Sequence, residues 1–140
     1  MITVTINSRA FVQSMLNNDQ FIQQKTQQLV RKVSTTMQKE IKFWTPVEYG
    51  RLRNSIRVYS GNGGMSAQIR TSVPYAVYVE YGTGIYAEGG GGRKTPWVYY
   101  HRRWGWTKTR GQRPKLFFRK GFNDVVNNLD NIAQGVFKWR

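Results

Sequence analysis

The chain has 140 residues and a formal net charge of +15, from 22 Lys and Arg against 7 Asp and Glu, and it contains no cysteine. That length fits a single domain, 1–140, able to bury a core without staples. The missing thiols exclude disulfides, cysteine-held zinc, iron–sulfur ligation and a thiol nucleophile, and the charge favours polyanions and acidic proteins as partners.

The start, "MITVTINSRAFVQSML", lacks a basic stretch followed by a long apolar one, so no secretory leader is expected. No run reaches the roughly 18 apolar residues of a membrane span, and neither membrane contact nor membrane residence is expected. Ile2, Val4 and Ile6 alternate with Thr3 and Thr5, which predicts a short strand with one buried face. "RAFVQSML" fits a short helix. Asn18 or Asp19 can cap a longer one beginning near Gln20, in which Leu29, Val33, Met37 and Ile41 recur every four residues, followed by Trp44 and preceded by Phe21 and Ile22. Pro46 disfavours helical geometry at Thr45 and should end that helix by Trp44. From Gln20 to Phe43 it would run roughly 36 Å.

Leu52, Ile56 and Val58, then the turn cluster "SGNGG", then the alternating Met65, Ala67, Ile69 and Thr71 predict a β-hairpin. "YAVYVEYG" fits one face of a helix or one face of a strand, and its period does not decide between them. Gly89–Gly92 is conformationally loose, "TPWVYY" resumes a strand-like pattern, and "WGWTKTRGQRP" reads as a turn and an extended return. From Leu116 the spacing turns helical: Phe118, Phe122, Val125, Leu129, Ile132 and Val136 form an apolar seam, weakened locally by Gly121. The sum is an α+β fold, two long helices packed on a small, mostly antiparallel β-sheet, with a Gly-rich extended arm projecting at about residues 83–113.

The inventory for catalysis is thin. His101 is the single histidine, and the seven acids are scattered, so neither a metal site nor a serine-type triad is indicated and no cofactor is expected. "GTGIYAEGGGG" lacks the Gly-Lys-Ser/Thr ending of a phosphate loop. From Gly89 to Asn123 no acid occurs, while Arg93, Lys94, Arg102, Arg103, Lys108, Arg110, Arg113, Lys115, Arg119 and Lys120 do. Trp97, Tyr99, Tyr100, Trp104 and Trp106 are interleaved with these bases. Such a mixture stacks single-stranded bases and equally anchors protein interfaces. Composition does not separate the two, and the adjoining glycines rank the protein interface first. The candidate interface residues are therefore Arg93, Lys94, Trp97, Tyr99, Tyr100, Arg102, Arg103, Trp104 and Trp106.

Four blocks occur in order: "TPVEYGRLRNSI" after a long helix, "VPYAVYVEYGTG" about twenty residues later, "GGGGRKTPWVYY", and "TRGQRPKLFFRKGF" leading into a last helix. Together they resemble the neck, or tail-completion, proteins of tailed bacteriophages, over roughly residues 45–122. Tyr49, the Leu116–Phe117 pair, Lys120 and Gly121 depart from the family's usual pattern. The resemblance implies a non-enzymatic virion protein, made in the host cytoplasm, that forms a ring at the head–tail junction, a hexamer in preference to a dodecamer. Its partners would be itself, the adjacent head-completion and tail-tube or tail-terminator proteins and, transiently, packaged double-stranded DNA. A glycine arm would let an aromatic segment pack on a neighbour. Gly50, Leu52, Ser55, Tyr75, Ala76, Tyr78, Glu80, Tyr81, Gly82 and Thr83 match its motif. Of these, Leu52, Tyr75 and Tyr78 are expected to pack, and Glu80 to pair with an arginine such as Arg51 or Arg53.

Overall fold

The computed structural model describes residues 2–8 and 20–138. The short helix expected in "RAFVQSML" and the cap at Asn18 or Asp19 lie outside the described residues. Strand β1 is Thr3–Asn7, close to where the alternation put it. Helix α1 is Gln20–Trp44. Thr45 closes it, its Oγ1 donating to the Ile41 carbonyl at 2.7 Å, immediately before the proline that forbids another turn.

The buried face of α1 is Thr26, Val30, Val33, Ser34, Met37 and Ile41. This is the predicted stripe, rotated. A strict four-residue step overshoots the 3.6-residue turn, so Leu29 drifts to the half-buried edge, Phe21 and Trp44 lie exposed, and Val30 takes the centre.

The hairpin forms later in the chain than expected. Val47–Tyr49 is a 3₁₀ turn and helix α2 covers Gly50–Ser55. Leu52 and Ile56, four residues apart, are both fully buried from that short helical turn, a spacing that fits a helix face as well as it fits alternate strand positions. Strand β2 then runs Arg57–Gly61 and β3 Ser66–Arg70, joined by the Asn62–Gly64 turn. The sheet is antiparallel in the order β1-β3-β2. Val4 and Val58 flank Ile69 from either side.

"YAVYVEYG" is helical: α3 is Ala76–Tyr81, stopped at Gly82, whose N–H donates to the Tyr78 carbonyl at 2.9 Å. The glycine segment is not an extended arm. It folds into two 3₁₀ turns, Gly84–Tyr86 and Glu88–Gly90. Gly84 has φ +63°, and a Cβ there would run into the Arg110 carbonyl, so the chain lies flat against the return segment. Strands β4 (Trp97–His101) and β5 (Gly105–Thr109) form a separate two-stranded hairpin.

The second long helix is also corrected. It breaks at Asn128 (φ −111°, ψ 10°) into α4, Phe117–Asn127, and α5, Leu129–Val136. Asn128 lies in an Asn-rich run, and its side-chain carbonyl accepts from Asn131 Nδ2 at 2.7 Å. Asparagines favour helix ends over interiors, because their side chains can bond backbone groups in non-helical conformations. Val125 and Ile132 remain buried, while Phe122 and Leu129 are 41% and 40% exposed, so only part of the seam faces the core. The fold is α+β with one long helix. That helix packs against the sheet on one side and α4 on another, around Met37, Ile41, Ile56, Ile69, Val79 and Phe117.

Candidate functional site

The interface candidates converge on the β4–β5 hairpin. Alternation along the strands gives it two unlike faces. Trp97, Tyr99, His101 and Thr109 line a cleft of about 550 Å³ whose other wall includes Glu48, Tyr49, Gln112 and Lys115. Within it the His101 ring stacks on Trp104 with centroids 4.1 Å apart, and its Nδ1 accepts the Arg103 N–H at 3.1 Å. The histidine is thus used to shape the β-turn. Among the described residues no three His, Cys, Asp or Glu side chains cluster to hold a metal ion.

The opposite face is Val98, Tyr100, Trp106 and Lys108, turned to solvent. Val98 is 58% exposed, Tyr100 65% and Trp106 76%. Tyr100 and Trp106 stand directly across from each other, edge to face with centroids 5.6 Å apart. At the tip, the exposed Arg102 and Arg103 precede Trp104, also largely exposed. Arg93 lies near the Trp97 ring at 5.6 Å, and Lys94 donates to the Gly90 carbonyl at 2.7 Å, which holds the segment before β4.

The hairpin's base is fixed by the motif that precedes it. Thr83 donates its N–H to the Gln112 carbonyl, and its Oγ1 accepts the Gln112 N–H, both at 2.9 Å. Ile85 N–H donates to the Arg110 carbonyl at 3.0 Å. The glycine turns are held from another side by Arg119, which donates through both terminal nitrogens to Glu88 at 2.8 Å each. Those hydrogen bonds keep the Glu88 carboxyl below its ordinary range. Nothing in the sequence flagged this pair, 31 residues apart.

Among the family-motif positions, Leu52 and Ala76 are core residues and Tyr75 is half-buried beside Tyr49, ring centroids 6.1 Å apart. Ser55 Oγ bonds the Leu52 carbonyl at 2.7 Å and also meets Thr71 Oγ1. Gly50 opens α2 at the surface. Tyr78, expected to pack, is 60% exposed: the helix turns Ala76, Val79 and Glu80 inward, which puts Val77, Tyr78 and Tyr81 on its outer side.

Among the described residues Glu80 forms no ion pair with Arg51 or Arg53. It is 2% exposed, and its carboxylate accepts the backbone N–H groups of Phe118 at 2.9 Å and Arg119 at 3.1 Å. These are the second and third residues of α4, whose donors have no partner within the helix. Leu116, at the cap position, has φ +54° and offers no side-chain oxygen, so the carboxylate of α3 performs the capping. Arg53, one expected partner, instead donates to the Thr45 carbonyl at 2.9 Å.

A family model described as "Bacteriophage HK97-gp10, putative tail-component" matches residues 11–82. No curated protein and no solved structure matches significantly. The matched span runs through α1, α2, strands β2 and β3 and α3, leaves β1 outside, and ends at the glycine that terminates α3. With half of its length under that match, the chain belongs to the HK97-gp10-like family of bacteriophage tail components.

Proposed function

We propose that this structural phage protein acts at the head–tail junction: it assembles as a ring, joins the finished tail to the filled head and leaves a channel for the genome. It would meet the adjacent head-completion and tail-tube or tail-terminator proteins, and packaged DNA only in passing, in the virion and, before that, in the host cytoplasm. The observation that carries the reading is the hairpin's outer face. A monomer has no use for Val98, Tyr100 and Trp106 in water, and solvent-facing apolar surface ringed by polar groups marks interaction sites. Repeated head-to-tail contacts close into a ring when their rotation permits.

The test is a phage carrying a nonsense mutation in this gene. Lysates should contain separate full heads and complete tails, and purified protein added back should join them. Negative-stain images of the purified protein should show closed rings. Normal joined particles in the mutant lysate would overturn the reading.

A further inference from the structure

We infer that the β4–β5 hairpin is a strand-addition platform: it takes an extended segment of a partner protein, bearing alternating apolar and acidic side chains, onto one of its open edges. The inference rests on the junction role for the existence of a partner, and adds how that partner is held.

β4 pairs only with β5 among the described residues, so each strand's outer edge presents backbone N–H and C=O groups without a neighbouring strand. Open edges are templates for pairing, and an isolated two-stranded hairpin is marginal in water. This one is nevertheless held at its root, where Arg110 and Gln112 are bonded to Ile85 and Thr83. A rooted hairpin with free edges is a preformed receptor for strand addition, in which main-chain bonds supply affinity and alternate side chains supply specificity.

Charge selects the occupant. Arg102, Arg103, Lys108 and Arg110 are exposed, and the only ion pair among the described residues is Arg119–Glu88. No acid lies between Gly89 and Asn123 to neutralise them. A second copy's hairpin would bring the same charge and be repelled. Nucleic acid is disfavoured by ring geometry: Tyr100 and Trp106 meet at 77° and form no parallel platform for successive bases, and one face of Trp104 is already covered by His101. A strand added at the β5 edge would continue the outer face, placing one side chain beside Trp106 and the next on that face beside Lys108. Apolar then acidic is the pattern those two neighbours match.

The probe is a capped ten-residue peptide mixing valine and glutamate so that each face alternates apolar and acidic, titrated into the full-length protein with tryptophan fluorescence and amide exchange as readouts. It should bind and slow exchange in β4 or β5. N-methylation at two consecutive central residues, which removes a donor from each peptide edge, should weaken binding about tenfold or more, and so should Lys108→Glu with Arg110→Glu, with circular dichroism unchanged; tenfold corresponds to about 1.4 kcal/mol. A twenty-nucleotide oligothymidylate and a 20-base-pair duplex should bind more weakly than the peptide. Absence of peptide binding, equal affinity for the N-methylated peptide, or tighter oligonucleotide binding would overturn the inference. The junction role would survive any of these if head–tail joining still fails in the mutant phage, and would fall alone if joining is normal while the peptide is captured.

Discussion

Glu80 is a single side chain on which two elements depend. It sits at the end of α3 yet caps α4, 38 residues later, and the two segments are further clasped by Lys115 N–H to the Val79 carbonyl at 2.9 Å and Leu116 N–H to the Glu80 carbonyl at 3.2 Å. Those bonds hold Leu116 in a left-handed conformation that non-glycine residues avoid. Glu80→Gln keeps the volume but removes the charge and replaces one acceptor oxygen by an amide that cannot accept. Loss of such charge-assisted bonds costs roughly 2–3 kcal/mol, or about 6–9 °C in Tm at this size. An unchanged melting temperature would refute the capping role. Gly121 offers a test of sign. Glycine to alanine in an exposed helix should stabilise by about 1 kcal/mol. Here a Cβ would lie 2.5 Å from Ile41 Cγ1 and 2.6 Å from the Ile41 backbone nitrogen, so α1 and α4 cross at a point only glycine fits. Gly121→Ala is expected to destabilise, by about 1–3 kcal/mol as overpacking does; a rise in Tm would mean the helices can separate at little cost.

At the scale of elements, the glycine turns are tethered to α4 by Glu88 and Arg119. Both side chains are more than two-fifths exposed, so the pair adds little to global stability and its effect should be local. Glu88 has its folded-state pKa lowered, chiefly by hydrogen bonds from Arg119. Its contribution is therefore present above the carboxyl's ordinary value and is lost as pH falls through the lowered one. Amide exchange in residues 84–92, corrected for its intrinsic pH dependence, should lose protection on acidification across that window, and Arg119→Gln should abolish the pH response; a response that persists in the variant would assign it to another group. This tether also illustrates what could be read from the sequence. The β1 alternation, the long α1 and the "SGNGG" turn were legible because each is a local pattern. The break at Asn128 and the helicity of Gly50–Ser55 were not, since short apolar spacings fit either period. The Glu80 cap and the Glu88–Arg119 pair depend on contacts 31 to 39 residues apart, which no local pattern encodes. The aromatic and basic residues of the hairpin were found as a composition, while the partition into a cleft-lining and a solvent-facing side needed the register.

For the whole molecule, 22 bases against 7 acids leave a surplus that a ring would concentrate, and copies packed side by side would repel unless something anionic lies between them or against them. Ten of the bases fall in the acid-free stretch that builds the hairpin and the start of α4. If that stretch existed to grip DNA, each neutralised phosphate would add a steeply salt-dependent increment of affinity, and the genome channel of the proposed ring would be obstructed by its own wall. An acidic protein surface neutralises the same charge without that penalty, and desolvated Trp, Tyr and Arg are the side chains that anchor such contacts. The purified protein should therefore bind duplex DNA only at the non-specific level, about 10⁻⁴ to 10⁻⁶ M near physiological salt. Arg102→Glu with Arg103→Glu changes two exposed side chains at the hairpin tip, for which no ion pair is lost, so folding should be nearly unaffected, within about 0.5 kcal/mol. Joining of heads to tails, scored by infectious titre after adding the variant to a lysate of unjoined particles, should fall sharply and should not be restored by lowering the salt, because the reversed charges now repel the acidic partner more strongly when screening is reduced. Nanomolar duplex binding by the wild type, together with undiminished joining by the double variant, would transfer the basic surface from a protein partner to the genome.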